Sequence, residues 1–213
     1  LFMPSVPMSP IAAGLAILFG IINYFGAKKS GSFQVFLLVG LLILLLWFCG
    51  VGVFQIEASS FGGIFDNEGA GILSTAGLVI VSYMGLTKVA SVAEEVENPE
   101  RNLPLGMFLA FGTIITIYVV GTSVMIGVAG VEFLAADGGV LTPVADVAEL
   151  MGLPYGKVIM TVAAVLAFSS VGNAGILSAS RYPLAMGRDR LLPEVFGKVG
   201  KQGTPTIGII ATV

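Results

Sequence analysis

Uncharged runs of apolar residues recur along this chain, and each is close to the length of a membrane-spanning helix. Such a helix needs about 20 mostly apolar residues, because lipid offers no hydrogen-bond partner to the backbone. Hydrophobic residues make up 56% of the chain and charged residues only 11%, whereas soluble domains carry about 25% charged residues. The sequence therefore predicts an all-α membrane protein rather than a soluble domain.

We predict one partial multi-pass transmembrane domain over residues 1–213. Its spans are expected at about 8–27, 33–55, 70–97, 103–131, 158–181 and a truncated 206–213. The chain starts with leucine and stops inside an apolar run, so we expect a fragment of a longer polytopic protein. One cysteine excludes a disulfide framework, and there is no histidine to bind metal. We expect no cofactor and no metal, and the net charge of −3 gives no argument for nucleic acid.

The positive charges fall mainly on one side of the predicted membrane. Eight of the ten Lys and Arg residues lie in three alternate links between spans, which contain Lys28, Arg101 and Arg188 respectively. Cytoplasmic loops carry an excess of Lys and Arg. We therefore expect a multi-pass protein of the cell membrane, surrounded by lipid bilayer, with these three links in the cytoplasm.

The third apolar run is interrupted by a polar stretch, Ser82–Lys88. A broken membrane helix exposes unpaired backbone N–H and C=O groups, which can bind the carboxylate or amine of a substrate. Gly85 permits backbone angles that other residues avoid. The alternative is a continuous helix whose hydroxyls bond back to its own carbonyls.

Charged residues follow this interruption. An ionisable residue inside a membrane span, such as Lys88, is a candidate for proton coupling or substrate contact; the alternative is a lysine that reaches a water-filled vestibule. Glu94 and Glu95 crowd a helix C-terminus, where the helix dipole disfavours anions. We expect one of them to pair with Arg181 or Arg188 at an inner gate, the alternative being a solvated run of loop charges.

The fifth span carries Ser169, Ser170 and Asn173 at its centre. Paired hydroxyls at the membrane midplane suit a small cation or a polar group of a substrate, and an amide can both donate and accept. The alternative is packing through interhelical hydrogen bonds, which small polar residues commonly provide in membranes. The hydroxyl residues of the fourth span, including Tyr118 and Thr122, are expected to serve packing.

Three segments resemble the amino acid–polyamine–organocation (APC) permeases. Tyr83–Lys88 with Ala93–Pro104 resembles their sixth transmembrane segment, Asn173 to Pro193 resembles the eighth and the loop beyond it, and Gly26–Gly31 resembles the link between the fourth and fifth. The resemblance implies a fragment covering about segments four to nine. It also implies a leucine-transporter-type inverted-repeat helical bundle, present here in part.

By this resemblance the chain is expected to act as a secondary active permease for amino acids or related organic cations. It would work by alternating access around the unwound sixth segment, with coupling to a proton or a sodium ion. Ser169, Ser170 and Lys88 are the coupling candidates. The substrate would be bound by Ser82, Tyr83, Met84, Gly85, Leu86, Thr87 and Asn173.

Two positions depart from the family, and two other functions stay open. Many family members carry an acidic residue in place of Thr87 and a small residue in place of Lys88. One alternative is an intramembrane enzyme that pairs Lys88 with Ser82 or Ser91, although the uncharged stretches of the spans contain no acidic pair and the chain contains no histidine. The other is a channel or a transporter-derived sensor. We expect a transporter and not an enzyme, so no residue is assigned a catalytic role.

Overall fold

A computed structural model of the chain describes residues 8–62, 70–83, 85, 88–89, 91, 93, 96–135, 142–200 and 203–213. Within these residues the regular structure is entirely helical and comprises eight α-helices together with short 3-10 turns. The α-helices are α1 (Met8–Tyr24), α2 (Ala27–Gly52), α3 (Ala70–Ser82), α4 (Pro99–Leu134), α5 (Pro143–Leu150), α6 (Gly156–Ala179), α7 (Arg181–Arg188) and α8 (Thr206–Thr212).

Three helical stretches of the described chain are long and apolar enough to cross a membrane. They are Lys29–Gln55, Pro99–Leu134 and Gly156–Arg188. Ser9–Tyr24 and Gly71–Ser82 are apolar but shorter. The predicted class, an all-α membrane protein, is therefore confirmed for the part of the chain that the structure describes.

Two helix starts differ from the predicted spans. The helix α2 begins at Ala27, so Lys29 belongs to its first turn rather than to a loop, and its amine lies 5.3 Å from the centre of the Phe25 ring. The helix α4 begins at Pro99 rather than near residue 103. Asn98 precedes it with a left-handed backbone (φ 49°). Proline suits the first helical position because the N–H that it lacks would have no partner there.

The chain folds as two compact units. The first unit contains the described residues of Leu1–Val39, Lys88–Glu97 and Leu166–Val213. The second unit contains those of Gly40–Thr87 and Asn98–Val165. The boundary therefore falls within α2 and within α6.

The second unit has the larger apolar core. Val147 and Ala148 of the short helix α5 are fully buried, which ties α5 to its neighbours. At Gly52 of α2 a side chain would collide with Val124 of α4 and with Met151, so glycine permits the close approach of these elements. The buried core residues are Phe48, Cys49, Val124, Ala145, Val147, Ala148, Met151, Met160 and Ala163.

The first unit packs through close contacts between α1, α6 and α8. The Phe19 ring lies against Gly172, where an added Cβ would be only 3.2 Å from the ring. At Gly208 of α8 a side chain would collide with the carbonyl of Ser180. The buried Thr204 donates its hydroxyl hydrogen bond to the carbonyl of Tyr24 at 3.2 Å. Small residues and one buried hydroxyl thus hold the ends of these helices together.

Candidate functional site

The α-helix of the third apolar segment ends at Ser82. With 13 residues, α3 is about 20 Å long, which is shorter than the roughly 30 Å hydrocarbon core of a bilayer. The described residues that follow, among them Tyr83, Lys88 and Ser91, lie in short 3-10 turns instead. The end of the α-helix agrees with the interruption predicted from the sequence. Five of the predicted site residues lie outside the described part of the chain: Met84, Leu86, Thr87, Glu94 and Glu95.

The hydroxyls beside the interruption bond to their own backbone. Ser82 donates to the carbonyl of Leu78 at 3.2 Å, and Ser91 donates to the carbonyl of Lys88 at 2.7 Å. No described atom of another residue lies within 4 Å of the position that a Cβ of Gly85 would occupy. Both neighbours of Gly85 in the chain lie outside the described residues, so the backbone freedom expected at this glycine stays a prediction.

Tyr83 packs its ring against two aromatic rings of α4. Its ring centre lies 5.3 Å from that of Phe111 with an angle of 63° between the planes, and 6.2 Å from that of Tyr118 with an angle of 79°. Edge-to-face geometry of this kind is favourable because the positive edge of one ring meets the negative face of another. The first residue after α3 is thus anchored on α4.

A shallow, open groove of about 440 Å³ lies beside this aromatic contact. We call it the Tyr83 pocket, and it is lined by Val79, Tyr83, Ile115, Tyr118, Val119 and Thr122. Tyr118 and Thr122 were assigned to packing from the sequence, which offered no signal that they share a pocket. The other α4 hydroxyls, of Thr113, Thr116 and Ser123, each donate to the carbonyl four residues earlier at 2.8 Å.

The first unit contains a closed ring of hydrogen bonds between uncharged side chains. Asn23 Nδ2 donates to Asn173 Oδ1 at 3.0 Å, Asn173 Nδ2 donates to Ser30 Oγ at 3.2 Å, and Ser30 Oγ donates to Asn23 Oδ1 at 2.9 Å. These three side chains, which we call the polar ring, are 0–1% exposed. The ring joins α1, α2 and α6, and Asn23 Nδ2 also donates to the backbone carbonyl of Asn173 at 3.4 Å.

Gln34 extends the polar ring to Ser170. Its Oε1 accepts from Asn173 Nδ2 at 3.1 Å, and its Nε2 donates to Ser170 Oγ at 2.5 Å. Buried polar groups need such partners, because an unpaired one is expensive away from water. The described residues contain no buried side-chain polar atom without a partner.

The structure brings together two of the three polar residues predicted at the centre of the fifth span. Ser170 and Asn173 belong to the buried network, whereas Ser169 is half-buried. Sequence reasoning missed Asn23, Ser30 and Gln34. The only available signal was the i,i+4 spacing of Ser30 and Gln34, which places both on one face of α2.

The two arginines of the predicted inner gate lie at opposite ends of α7. Arg181 is 7% exposed and donates to the carbonyl of Leu177 in the preceding turn. Arg188 is exposed at the C-terminal end, where a cation interacts favourably with the helix dipole. The expected pairing with Glu94 or Glu95 concerns residues outside the described structure and stays a prediction.

A small ionic cluster connects the start of α6 with α5. Lys157 Nζ lies 3.1 Å from Asp146 Oδ1 and 2.8 Å from Glu149 Oε2. The hydrogen bond from the Thr142 hydroxyl, followed by the interactions with Lys157, holds the pKa of Asp146 below its ordinary value. In the residues that the structure describes, no group of three or more Cys, Asp or Glu side chains is placed to hold a metal ion.

The structure is that of a multi-pass helical membrane protein in which the apolar helix α3 ends next to the Tyr83 pocket. A profile of the family described as Amino acid permease matches residues 6–213. The chain belongs to the amino acid permease family, which confirms the resemblance to APC permeases. The family implies a leucine-transporter-type fold, and it is a family of transporters rather than enzymes.

Named relatives differ in what they carry. Cationic amino acid transporter 9, chloroplastic, of Arabidopsis thaliana is 26% identical over 174 residues, covering 82% of this chain and 30% of that protein. Branched-chain amino acid permease BcaP of Bacillus subtilis is 29% identical over 185 residues, covering 86% of this chain and 39% of that protein. Methylthioribose transporter of Bacillus subtilis is 27% identical over 188 residues, covering 88% and 40%. The chain spans well under half of the length of each of these relatives.

Proposed function

We propose that this chain is part of a permease that carries amino acids or related organic cations across the cell membrane by alternating access. The observation that carries the proposal is the end of α3 at Ser82, inside an apolar segment and beside the Tyr83 pocket. Membership of the amino acid permease family supports it. The predicted substrate-binding residues, including Asn173, keep that role as part of this proposal.

The chemistry of a helix end supports the binding of an amino group near Ser82. The last four carbonyls of an α-helix have no partner within the helix, and the helix dipole gives that end a partial negative charge. A substrate ammonium group placed there would be attracted by this partial negative charge without any acidic side chain. This arrangement explains how the interruption could bind a zwitterionic amino acid.

We infer that transport is coupled to a proton or a sodium ion through Lys88, Ser169 and Ser170. The Ser170 hydroxyl oxygen accepts a hydrogen bond from Gln34 Nε2 at 2.5 Å. A cation that binds Ser170 must therefore displace the Gln34 amide or share the oxygen with it. Lys88 is exposed and offers a titratable amine outside this network.

We further propose that the links with Lys28, Arg101 and Arg188 face the cytoplasm, and that Glu94 or Glu95 pairs with Arg181 or Arg188 at an inner gate. The orientation can be tested after Cys49, the only cysteine of the chain, is replaced by alanine. An impermeant maleimide added to intact cells is expected to label Tyr155→Cys but not Leu191→Cys, both of which are exposed positions. Labelling of Leu191→Cys in intact cells would contradict this orientation.

Uptake into proteoliposomes tests the function itself. A full-length permease that contains this sequence is reconstituted, and uptake of labelled leucine, lysine, arginine and methylthioribose is measured with and without gradients of protons or sodium. We expect uptake of at least one amino acid, and a clear reduction by Tyr83→Ala. Protein-free liposomes and a Tyr155→Ala variant, which changes an exposed tyrosine away from the pocket, serve as controls. A folded, reconstituted protein that takes up none of the amino acids would refute the proposal.

A further inference from the structure

We propose that the Tyr83 pocket receives the side chain of the substrate and selects neutral apolar side chains over cationic ones. Tyr118 and Thr122 of α4 would be its specificity-determining residues. This inference rests on the proposed function and names the substrate class that the relatives leave open. The pocket is formed within the second unit by the end of α3 and the facing side of α4.

The pocket lies next to the helix end that would bind the substrate ammonium group. Val79 and Tyr83 are four residues apart and flank the last turn of α3, the end at which the helix dipole places partial negative charge. Across from them, Ile115, Tyr118 and Thr122 share one face of α4 because they follow helical spacing. A substrate held at this end of α3 would therefore direct its side chain toward this face.

The lining of the pocket is apolar, with a few hydroxyls at its edge. Val79, Ile115 and Val119 contribute aliphatic surface, and the two tyrosine rings contribute aromatic surface. Thr122 and the tyrosines contribute hydroxyls. A volume of about 440 Å³ is ample for a leucine or phenylalanine side chain. Burying such a side chain is favourable in proportion to the apolar area removed from water.

Among the described residues of α3 and of the pocket lining, a cationic side chain finds no acidic partner. None of the six lining residues carries a charge, and α3 contains no Asp or Glu. On α4 the nearest acidic residues along the helix are Glu100 and Glu132. They lie about 22 Å before Ile115 and about 15 Å after Thr122 at 1.5 Å per residue. A lysine or arginine side chain would thus enter the pocket without a counter-charge from the described residues of α3 and α4.

Attraction between a cation and the tyrosine rings does not reverse this preference. Tyr83 already engages Phe111 and Tyr118 in edge-to-face contacts, so part of its ring surface is occupied. The attraction of a ring for a cation is smaller than the cost of removing an unpaired charge from water. The balance favours neutral apolar substrates.

A carboxylate placed in the pocket tests this inference. In proteoliposomes with a full-length permease that contains this sequence, the kcat/KM ratio of leucine to lysine is expected to exceed ten. Thr122→Asp is expected to lower that ratio at least tenfold, because it supplies the missing counter-charge. Thr113→Asp is the matched control: it introduces the same group on α4, outside the pocket lining, and should leave the ratio within about twofold.

Two uncharged variants of Tyr118 keep the test informative when the aspartate variants do not fold. Tyr118→Ala enlarges the pocket and is expected to raise uptake of phenylalanine relative to alanine, whereas Tyr118→Phe should retain the original ratio. A preference of the unmodified protein for lysine would overturn the inference and leave the proposed function standing. Equal ratios for Thr122→Asp and Thr113→Asp, or unchanged ratios for Tyr118→Ala, would also overturn it. Absence of any amino acid uptake would instead remove the proposed function on which it rests.

Discussion

The replacement Asn173→Ala tests the contribution of the polar ring to stability. It removes the one side chain that makes hydrogen bonds with Asn23, Ser30 and Gln34, at 3.0, 3.2 and 3.1 Å. Hydrogen bonds between membrane helices average about 0.6 kcal/mol, with a maximum of about 1.7 kcal/mol. Three of them therefore contribute between about 2 and 5 kcal/mol.

The size of the loss depends on which hydrogen bonds Asn23, Ser30 and Gln34 keep after Asn173 is replaced. Asn23 Nδ2 keeps its hydrogen bond to the carbonyl of Phe19 at 2.9 Å, and Ser30 keeps its bond to Asn23 Oδ1. Gln34 Oε1 loses the bond from Asn173, and because Gln34 is only partly buried, this loss costs less than the roughly 1–3 kcal/mol of a fully buried unpaired group. We expect the free energy of unfolding to fall by about 2–4 kcal/mol.

The assay is the melting temperature of the solubilised full-length permease, followed by the loss of its monodisperse peak after heating. A decrease of at least about 4 °C is expected for Asn173→Ala. Ser30→Ala and Ser123→Ala form a matched pair, because the Ser30 hydroxyl joins two other helices whereas the Ser123 hydroxyl bonds to its own helix at 2.8 Å. If Asn173→Ala or Ser30→Ala lowered the melting temperature no more than Ser123→Ala, the stabilising role of the polar ring would be refuted.

Three further predictions concern packing, acid sensitivity and coupling. Gly52→Val is expected to destabilise the protein by about 1–3 kcal/mol through overpacking. Gly50→Val is the control, because the space around Gly50 is open, and it should leave the melting temperature nearly unchanged. Equal effects of the two substitutions would contradict the close helix contact at Gly52. Because the pKa of Asp146 is lowered in the folded protein, its contribution to stability is present above about pH 4 and is lost as the pH falls through the folded value. Thr142→Val should therefore lower the melting temperature at pH 7 but not near pH 2, and a loss that is independent of pH would contradict this. Lys88→Ala should alter the pH dependence of uptake, and a variant with an unchanged pH profile would exclude Lys88 from coupling.

The apolar spans and the interruption of the third one could be predicted because each depends on local composition. A charge-free run either reaches the length of a bilayer or does not, and a polar stretch inside such a run is visible directly. The end of α3 at Ser82 agrees with this interruption. Membership of the permease family likewise rests on motifs that are contiguous along the chain.

The polar ring could not be predicted, because its members come from three helices that are far apart along the chain. Asn23 and Asn173 are separated by 150 residues, and their contact depends on how α1 packs against α6. From the sequence, Asn173 was a candidate for substrate binding. In the fold its amide is 0% exposed and bonded on both sides, so any substrate would have to compete with protein partners for it.

The sequence by itself thus indicated that this protein lies in a membrane and that a polar stretch interrupts its third apolar run, while a continuous third helix stayed open as the alternative. The hydrophobicity and the length of a segment are local properties. A membrane-spanning segment and a polar interruption in it can therefore be inferred without knowing any tertiary contact. Only the tertiary structure decided which polar side chains satisfy one another and which of them line a pocket. Tyr118 and Ser123 are both hydroxyl residues on the same helix, yet one faces the Tyr83 pocket and the other bonds to its own backbone. That difference arises because Tyr118 lies on the face of α4 that meets α3, which composition does not reveal.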